Sequence, residues 1–294
     1  MKGRIMNAAN VSKQAHPGEQ AQLWNGSAGQ AWVAGQELLD GLFKPFEKLL
    51  VDTVGVSAGN RILDVGCGAG STTLAVARVL GTQGGSIGID ISAPMIEAAR
   101  VRAQRENLPV DFICGDAQLQ EFTRGTFDVI LSRFGVMFFS DPVAAFANLL
   151  RATRDGGKLC FAAWRSAAEN PFMTTAERAA APLFPGVPLR RPSAAGQFAF
   201  ADPHLVRNIL SESGWKDISI EPIDVQCSIP EHGLIPYFMS LGPLGTALQN
   251  ASADLRAKVI ETVGPAFEPF VSGNEVRLTA ACWMVRASAN PRGE

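Results

Sequence analysis

The strongest chemical signal in the chain is the run Leu63-Asp64-Val65-Gly66-Cys67-Gly68-Ala69-Gly70-Ser71-Thr72. It falls where a first strand turns into a first helix, the place at which a nucleotide-like ligand approaches the backbone of a doubly wound sheet. Asp90 ends the next strand, 20 residues after Gly70. A carboxylate there can accept hydrogen bonds from both hydroxyls of a ribose. Asp116 follows the third strand, in Cys114-Gly115-Asp116-Ala117, where it could accept from an adenine amino group. The fourth strand ends in Ser132-Arg133-Phe134-Gly135, on the same edge of the sheet.

The spacing discriminates between ligands. A dinucleotide loop reads G-x-G-x-x-G/A, whereas this loop reads G-x-G-x-G with Asp64 just ahead of it. A pyrophosphate favours a helix N-terminus without a nearby anion. Asp64 therefore disfavours phosphate and favours a ligand carrying an ammonium or sulfonium charge. No Gly-Lys-Ser/Thr follows, which removes the P-loop reading.

The elements that position these residues alternate regularly. Strands are expected at 61–65, 86–90, 110–114, 127–132 and 158–164. Helices are expected at 71–80, from a Ser92 cap to about 106, and from Asp141-Pro142 to Arg154. Strand-helix-strand alternation implies a parallel sheet wound on both faces. Upstream, Leu38, Leu39, Leu42, Phe43, Phe46, Leu49 and Leu50 have helical spacing, and Pro45 predicts a break or kink. Downstream, 166–200 reads as an irregular excursion with one short helix near 173–181. A helix follows from Asp202-Pro203 to Ser213, then a strand at 216–229, two helices around Gly242-Pro243 within 234–263, and a last strand at 275–287. The last two strands could form an antiparallel hairpin at the sheet edge.

At this point the chain resembles the class I S-adenosylmethionine-dependent methyltransferases, in their bacterial ubiquinone/menaquinone-biosynthesis-type branch. The resemblance rests on residues 63–70, on Gly88-Ile89-Asp90-Ile91-Ser92 with Met95, on Gly115-Asp116-Ala117, on Phe127-Asp128-Val129-Ile130 and on Gly156-Gly157-Lys158-Leu159. It implies a Rossmann-like α/β fold, mostly parallel with an antiparallel last strand, plus a helical substrate cap. It also implies that Gly66, Gly68 and Gly70, with Asp64 nearby, line the methionine part of S-adenosyl-L-methionine, and that Asp90 holds the ribose. Ile91 and Met95 would flank the adenine, Asp116 and Ala117 would bound its edge, and Ser132 and Arg133 would sit near the methyl group. Domain boundaries follow as an N-terminal helical cap segment (1–59), a cofactor-binding core (60–165) and a remainder (166–294) that completes the sheet and carries cap insertions at 166–200 and 231–273.

Several side chains have a plainer reading beside the functional one. Trp24, Asn25 and Trp32 precede the first strand and could fold over the cofactor or serve the core. Phe134, Met137, Phe138 and Phe139 could line the acceptor pocket or fill the interior. Arg133 equally suits a structural ion pair, and Asp128 reads as structural. Among the histidines His16, His204 and His232, the last is the better general base, with Tyr237 a similar candidate, and Arg133 completes the catalytic candidates. Phe172, Met173, Phe184, Phe198, Phe200, Phe238 and Met239 in the cap suggest an apolar small-molecule acceptor rather than a polymer.

Composition bounds the rest. The chain has 294 residues, 47% apolar and 18% charged, which excludes a disordered protein. Lys+Arg 26 against Asp+Glu 28 leaves a net charge of −2, without the basic footprint of a nucleic-acid binder. No apolar run approaches the roughly 18 residues of a membrane span, and no signal peptide is read at the start. Five scattered cysteines without a C-x-x-C pair suggest neither disulfides nor a metal site, but small buried residues. The expectation is a cytoplasmic methyltransferase, compatible with a homodimer. The alternatives are a non-catalytic binding or regulatory protein on the same fold, and a nicotinamide-dependent oxidoreductase.

Overall fold

The N-terminal segment forms three consecutive helices, α1 (Glu19–Asn25), α2 (Ser27–Ala34) and α3 (Gln36–Val54), of which α3 carries the buried apolar stripe. The computed structural model describes residues 18–185 and 195–289. The breaks fall at Gly26 and Gly35, not at Pro45, which lies inside an unbroken α3. A proline inside a helix costs about 3 kcal/mol. Here the carbonyl it leaves unpaired belongs to the exposed Gly41, while Leu39, Leu42, Phe43, Phe46 and Leu50 bury one continuous stripe across the proline. That burial outweighs the lost bond.

The alternating segment follows the sequence closely: β1 (Arg61–Val65), α4 (Ser71–Leu80), β2 (Gly85–Asp90), α5 (Ala93–Glu106), β3 (Val110–Cys114), β4 (Phe127–Arg133), α6 (Pro142–Ala152) and β5 (Thr153–Trp164). α6 stops at Ala152, two residues short of the expected Arg154, and Gly156-Gly157 lie within β5. These residues belong to an irregularity at the start of β5, where the pairing with β4 shifts between Phe127 and Val129. Then come α7 (Phe172–Ala180), α8 (Pro203–Glu212) and β6 (Lys216–Pro230). The region expected to hold two helices holds three, α9 (Leu234–Ser240), α10 (Gly242–Ala247) and α11 (Ala253–Val263), because Ser252 caps a new helix by accepting from the Leu255 amide. A short β7 (Val271–Ser272) and β8 (Glu275–Ser288) complete the fold.

Among the described residues the sheet runs β3-β2-β1-β4-β5-β8-β6, with β7 paired to β8. β1 to β5 are parallel, and β8 lies antiparallel between β5 and β6. The β5–β8 ladder ends at the Trp164↔Cys282 pair, whereas β6 and β8 stay paired as far as Pro230↔Glu275. The two therefore form an arm that projects beyond the edge of the sheet where the parallel strands end. The chain between Pro230 and Glu275 carries α9, α10 and α11.

Beyond β5, the buried Asn170 side chain takes the place of another strand residue. Its Oδ1 accepts from the Ala281 amide at 2.9 Å, and its Nδ2 donates to the Ala281 carbonyl at 2.9 Å. The Ala281 carbonyl also accepts from the Arg165 amide, so only the Ala281 N–H would be left unpaired in Asn170→Ala. An orphaned buried donor costs about 2 kcal/mol. Urea denaturation of Asn170→Ala should show a loss of that size, and an unchanged midpoint would refute the account.

Four cysteines (Cys67, Cys160, Cys227 and Cys282) are buried as expected, but Cys114, at the end of β3, is exposed. Asp128 sits at the opposite end of the sheet from the glycine loop, accepts from the Arg61 amide and pairs with Arg154, a structural role. His16, Pro188 and Pro192 lie outside the described residues.

Candidate active site

A cavity of about 1150 Å³ opens over the ends of β1, β2, β3 and β4. Asp64, Gly66, Gly68, Asp90, Ile91, Met95, Asp116, Ala117, Arg133, Trp32 and Tyr237 all line it. Three expected residues do not. Gly70 turns away, and a Cβ on it would meet Ala99 at 3.0 Å and Phe112 at 3.1 Å. Ser132 is buried below the site, where its hydroxyl donates to the Val65 carbonyl at 2.7 Å and accepts from the Gly135 amide at 3.1 Å. His232 is exposed in a short turn ahead of α9, away from the cavity, so it is not a general base for this site.

Asp64, next to last in β1, is almost fully buried, and Thr73 donates to its Oδ2 at 2.7 Å. Its Oδ1 is buried without a hydrogen-bond partner. Burial raises its pKa to about 6, against the lowering effects of Thr73 and Arg133. A buried carboxylate oxygen with no donor is costly, and at the wall of a cavity a cationic ligand group could match it. Asp90 accepts from the Gly68 amide at 2.8 Å and the Ser92 amide at 2.9 Å, which fixes the glycine loop against β2. Burial raises its pKa, and those two hydrogen bonds oppose the rise. Each of its oxygens keeps lone-pair capacity for a ligand hydroxyl. Asp116 is half-buried and accepts from the Gln118 amide at 2.9 Å, so it shapes its own turn as well as the cavity wall.

Gly66 has φ +68, and a Cβ there would lie 2.5 Å from the Gly135 Cα. The close approach that glycine permits at this point is thus made by the protein's own backbone. Gly135 was not singled out by the sequence, and its signal was only its place three residues after Ser132.

Ser92 occupies the cap position of α5, but its hydroxyl donates to the Trp24 carbonyl at 2.6 Å. The cap comes instead from Asn25, whose Oδ1 accepts from the Ala93 amide at 2.8 Å while its Nδ2 donates to the Ile91 carbonyl at 2.9 Å. The N-terminal helices are latched in this way onto the turn that carries Asp90. Trp24 packs edge-on against Trp32 and Phe138.

The other half of the cavity is apolar. Phe134 has φ +65, an unfavourable region for an aromatic residue. It is held there by its amide bond to the Ala162 carbonyl and by stacking on Trp164 at 4.2 Å. Phe43, Trp164, Phe172, Met173, Phe198 and Phe238 continue the wall. Phe184, Phe200 and Met239 do not reach it, and Phe200 instead stacks in the core on Phe146. Phe43 and Trp164 were legible in the sequence only as helix core and strand end. Among the described residues no group of three or more His, Cys, Asp or Glu side chains is placed to hold a metal ion.

Such a set could hold an ammonium at Asp64, an anionic group at Arg133, a ribose diol at Asp90 and a flat base beside Ile91, Met95 and Ala117. Residues 62–157 match the family model described as a methyltransferase domain. A demethylmenaquinone methyltransferase from Renibacterium salmoninarum is 27% identical over 73% of this chain and 90% of its own length. The aklanonic acid methyltransferase DauC from Streptomyces sp. strain C5 is 35% identical over 40% of this chain, and the chain spans 54% of that relative. The phosphoethanolamine N-methyltransferase 2 of Haemonchus contortus, solved with S-adenosyl-L-methionine, shares the fold with a TM-score of 0.59 at 16% identity, over 95% of this chain and 61% of that one. Residues 62–157 thus match a methyltransferase domain, and the chain is similar to S-adenosylmethionine-dependent methyltransferases that share its fold. Within that class the chain is similar to the ubiquinone/menaquinone-biosynthesis-type branch.

Proposed function

We propose that this chain transfers a methyl group to an oxygen, carbon or nitrogen of an apolar small molecule. The observation that carries this reading is a single cavity in which the partnerless Asp64 oxygen and the glycine loop give way to an aromatic chamber. When bound, S-adenosylmethionine supplies a methyl group already activated on a sulfonium. Asp64 would hold its ammonium, Arg133 its carboxylate, Asp90 its ribose, and Ile91, Met95, Asp116 and Ala117 its adenine. Phe43, Phe134, Trp164 and Phe172 exclude water and orient the acceptor. Positioning of this kind contributes roughly 7–11 kcal/mol. A general base is needed only for an acceptor that arrives protonated, and Tyr237 is the remaining candidate at the cavity wall. We assign the acceptor roof to the N-terminal segment and to the insertions after β5 and β6, with 60–165 as the cofactor core. The chamber beyond the glycine loop leaves room for an acceptor, which a purely regulatory binder would not need.

Calorimetry with S-adenosylhomocysteine and NAD, followed by a radiolabelled methyl-transfer screen on phenols, quinone precursors and amines, tests the proposal. Binding of NAD in place of S-adenosylhomocysteine would overturn it.

A pH dependence follows from Asp64. Its folded pKa of about 6 lies above the ordinary aspartate value of 3.8. The ionised form therefore weakens the unliganded fold above about pH 6, and this cost disappears as pH falls towards 4. Ligand affinity runs the other way, because only the ionised form pairs with an ammonium. From pH 7 to pH 5 the thermal shift produced by S-adenosylhomocysteine should shrink while this group's contribution to the unliganded stability rises. A thermal shift independent of pH over that range would remove Asp64 from the site.

A further inference from the structure

Arg133 is the last residue of β4, and its side chain enters the cavity wall without a carboxylate within salt-bridge distance among the described residues. One face of α3 receives it. Asp40, Phe43 and Glu47 stand three and four residues apart, so their side chains share that face. The guanidinium lies 5.8 Å over the Phe43 ring. Its Nη1 donates to the Ser71 hydroxyl at 3.4 Å, and that hydroxyl donates to Glu47 Oε2 at 2.7 Å. The carboxylates of Asp40 and Glu47 bear on Arg133 electrostatically from α3, as Asp64 does from β1. Asp40 is itself tied to Arg102 at 2.7 Å, and Arg102 also donates to the Ala69 carbonyl of the glycine loop.

Glu47 is the unusual member. It is only 7% exposed, although its ion partner Lys44 is largely in solvent and could be served by a surface carboxylate. Burying a carboxylate is costly unless it is paired and hydrogen-bonded, and here Lys44 and the Ser71 hydroxyl are the partners. Its position beside Ser71, the first residue of α4, lets the positive end of that helix offset part of the cost. The Ser71 hydroxyl, oriented by Glu47, presents its lone pair to Arg133. The guanidinium has five N–H donors in a fixed fork. One is spent on Ser71, and no other bond from this group joins it to a described residue.

We propose that Glu47 and Ser71, with Asp40 and Phe43, are positioning residues that hold Arg133 as the clamp for the carboxylate of the cofactor's amino-acid tail. This rests on the methyltransferase reading above. Glu47 and Ser71 act through Arg133 and orient its remaining donors, while Phe43 supports the flat face of the guanidinium.

The test compares two nucleosides by calorimetry: S-adenosylhomocysteine, which has the amino-acid tail, and 5′-methylthioadenosine, which lacks it. Glu47→Gln keeps the shape and the Ser71 hydrogen bond but removes the charge. Ser71→Ala removes the link, and Ser71→Thr restores a hydroxyl. Glu47→Gln and Ser71→Ala should each weaken S-adenosylhomocysteine by about tenfold and leave methylthioadenosine within about twofold. Ser71→Thr should recover most of the loss, and Lys44→Met should leave both affinities as they were. Equal losses for both nucleosides, or an unchanged ratio in the isosteric Glu47→Gln, overturn the inference alone. A wild-type protein that binds neither nucleoside overturns the methyltransferase reading and this inference with it.

Discussion

Asp90→Ala should lower the affinity for S-adenosylhomocysteine by about 10³-fold, the largest single effect expected at this site. Each hydrogen bond from a ribose hydroxyl to a buried carboxylate contributes about 1.5–3 kcal/mol, and each 1.4 kcal/mol is about tenfold in affinity. The same substitution also releases the Gly68 and Ser92 amides, so the glycine loop loses its tie to β2. Asp90→Asn is informative because it keeps the volume. Its NH2 group cannot accept from a backbone amide, so it must give up either the Gly68 or the Ser92 contact. Asp116→Ala should cost far less, because that residue is half-buried and its visible bond is to its own turn. Calorimetry with S-adenosylhomocysteine distinguishes these outcomes. An Asp90→Ala protein that binds as the wild type does would remove the ribose assignment.

Gly135→Ala is expected to be nearly as damaging, for a steric reason. Gly135 has an ordinary backbone conformation, φ −81° and ψ −40°, so alanine is not strained there in itself. Its Cβ, however, would lie 2.6 Å from the Gly66 Cα and 2.6 Å from the Val65 carbonyl oxygen. Backbone cannot yield as a side chain can, so the loop after β4 must move off the glycine loop. That movement also pulls on the Ser132 hydroxyl, which bonds both Val65 and Gly135. Overpacking of this kind costs about 1–3 kcal/mol in stability, and the displaced Gly66 should cost at least tenfold in nucleoside affinity. Urea denaturation and calorimetry read the two effects separately. Wild-type values for both would mean that the two backbones separate freely.

The alternating part of the fold was legible because its signals are local. Glycine, aspartate and the apolar strands of residues 61–164 each act within a few positions of their own element, and the acidic residues at the strand ends could be placed from that alone. What the sequence hid depends on contacts between distant segments. Ser92 has the right type and position for a helix cap, yet the cap is supplied by Asn25, 68 residues before Ala93. Pro45 carries a strong local signal that is overridden by a buried stripe running past it. Glu47 reads as one more charge on an amphipathic helix until α4 is laid beside it. Gly70 and Ser132 have the spacing of site residues but serve the packing beneath the site. His232, chosen for its chemistry, is carried away from the cavity by the path of the chain after β6.

The arm formed by β6 and β8 bears on how such a protein can change its acceptor. Pro230 and Glu275 are paired at its tip, so the helical insertion above the chamber enters and leaves the scaffold at adjacent points. A replacement of any length can be spliced there without disturbing the register of a strand beneath it. Asp64, Asp90 and the glycine loop lie on other strands and keep their geometry through such an exchange. The part of the chamber wall that this insertion supplies, Tyr237 and Phe238 included, could thus be exchanged as a graft while Phe43, Phe134, Trp164 and the glycine loop stay as rootstock.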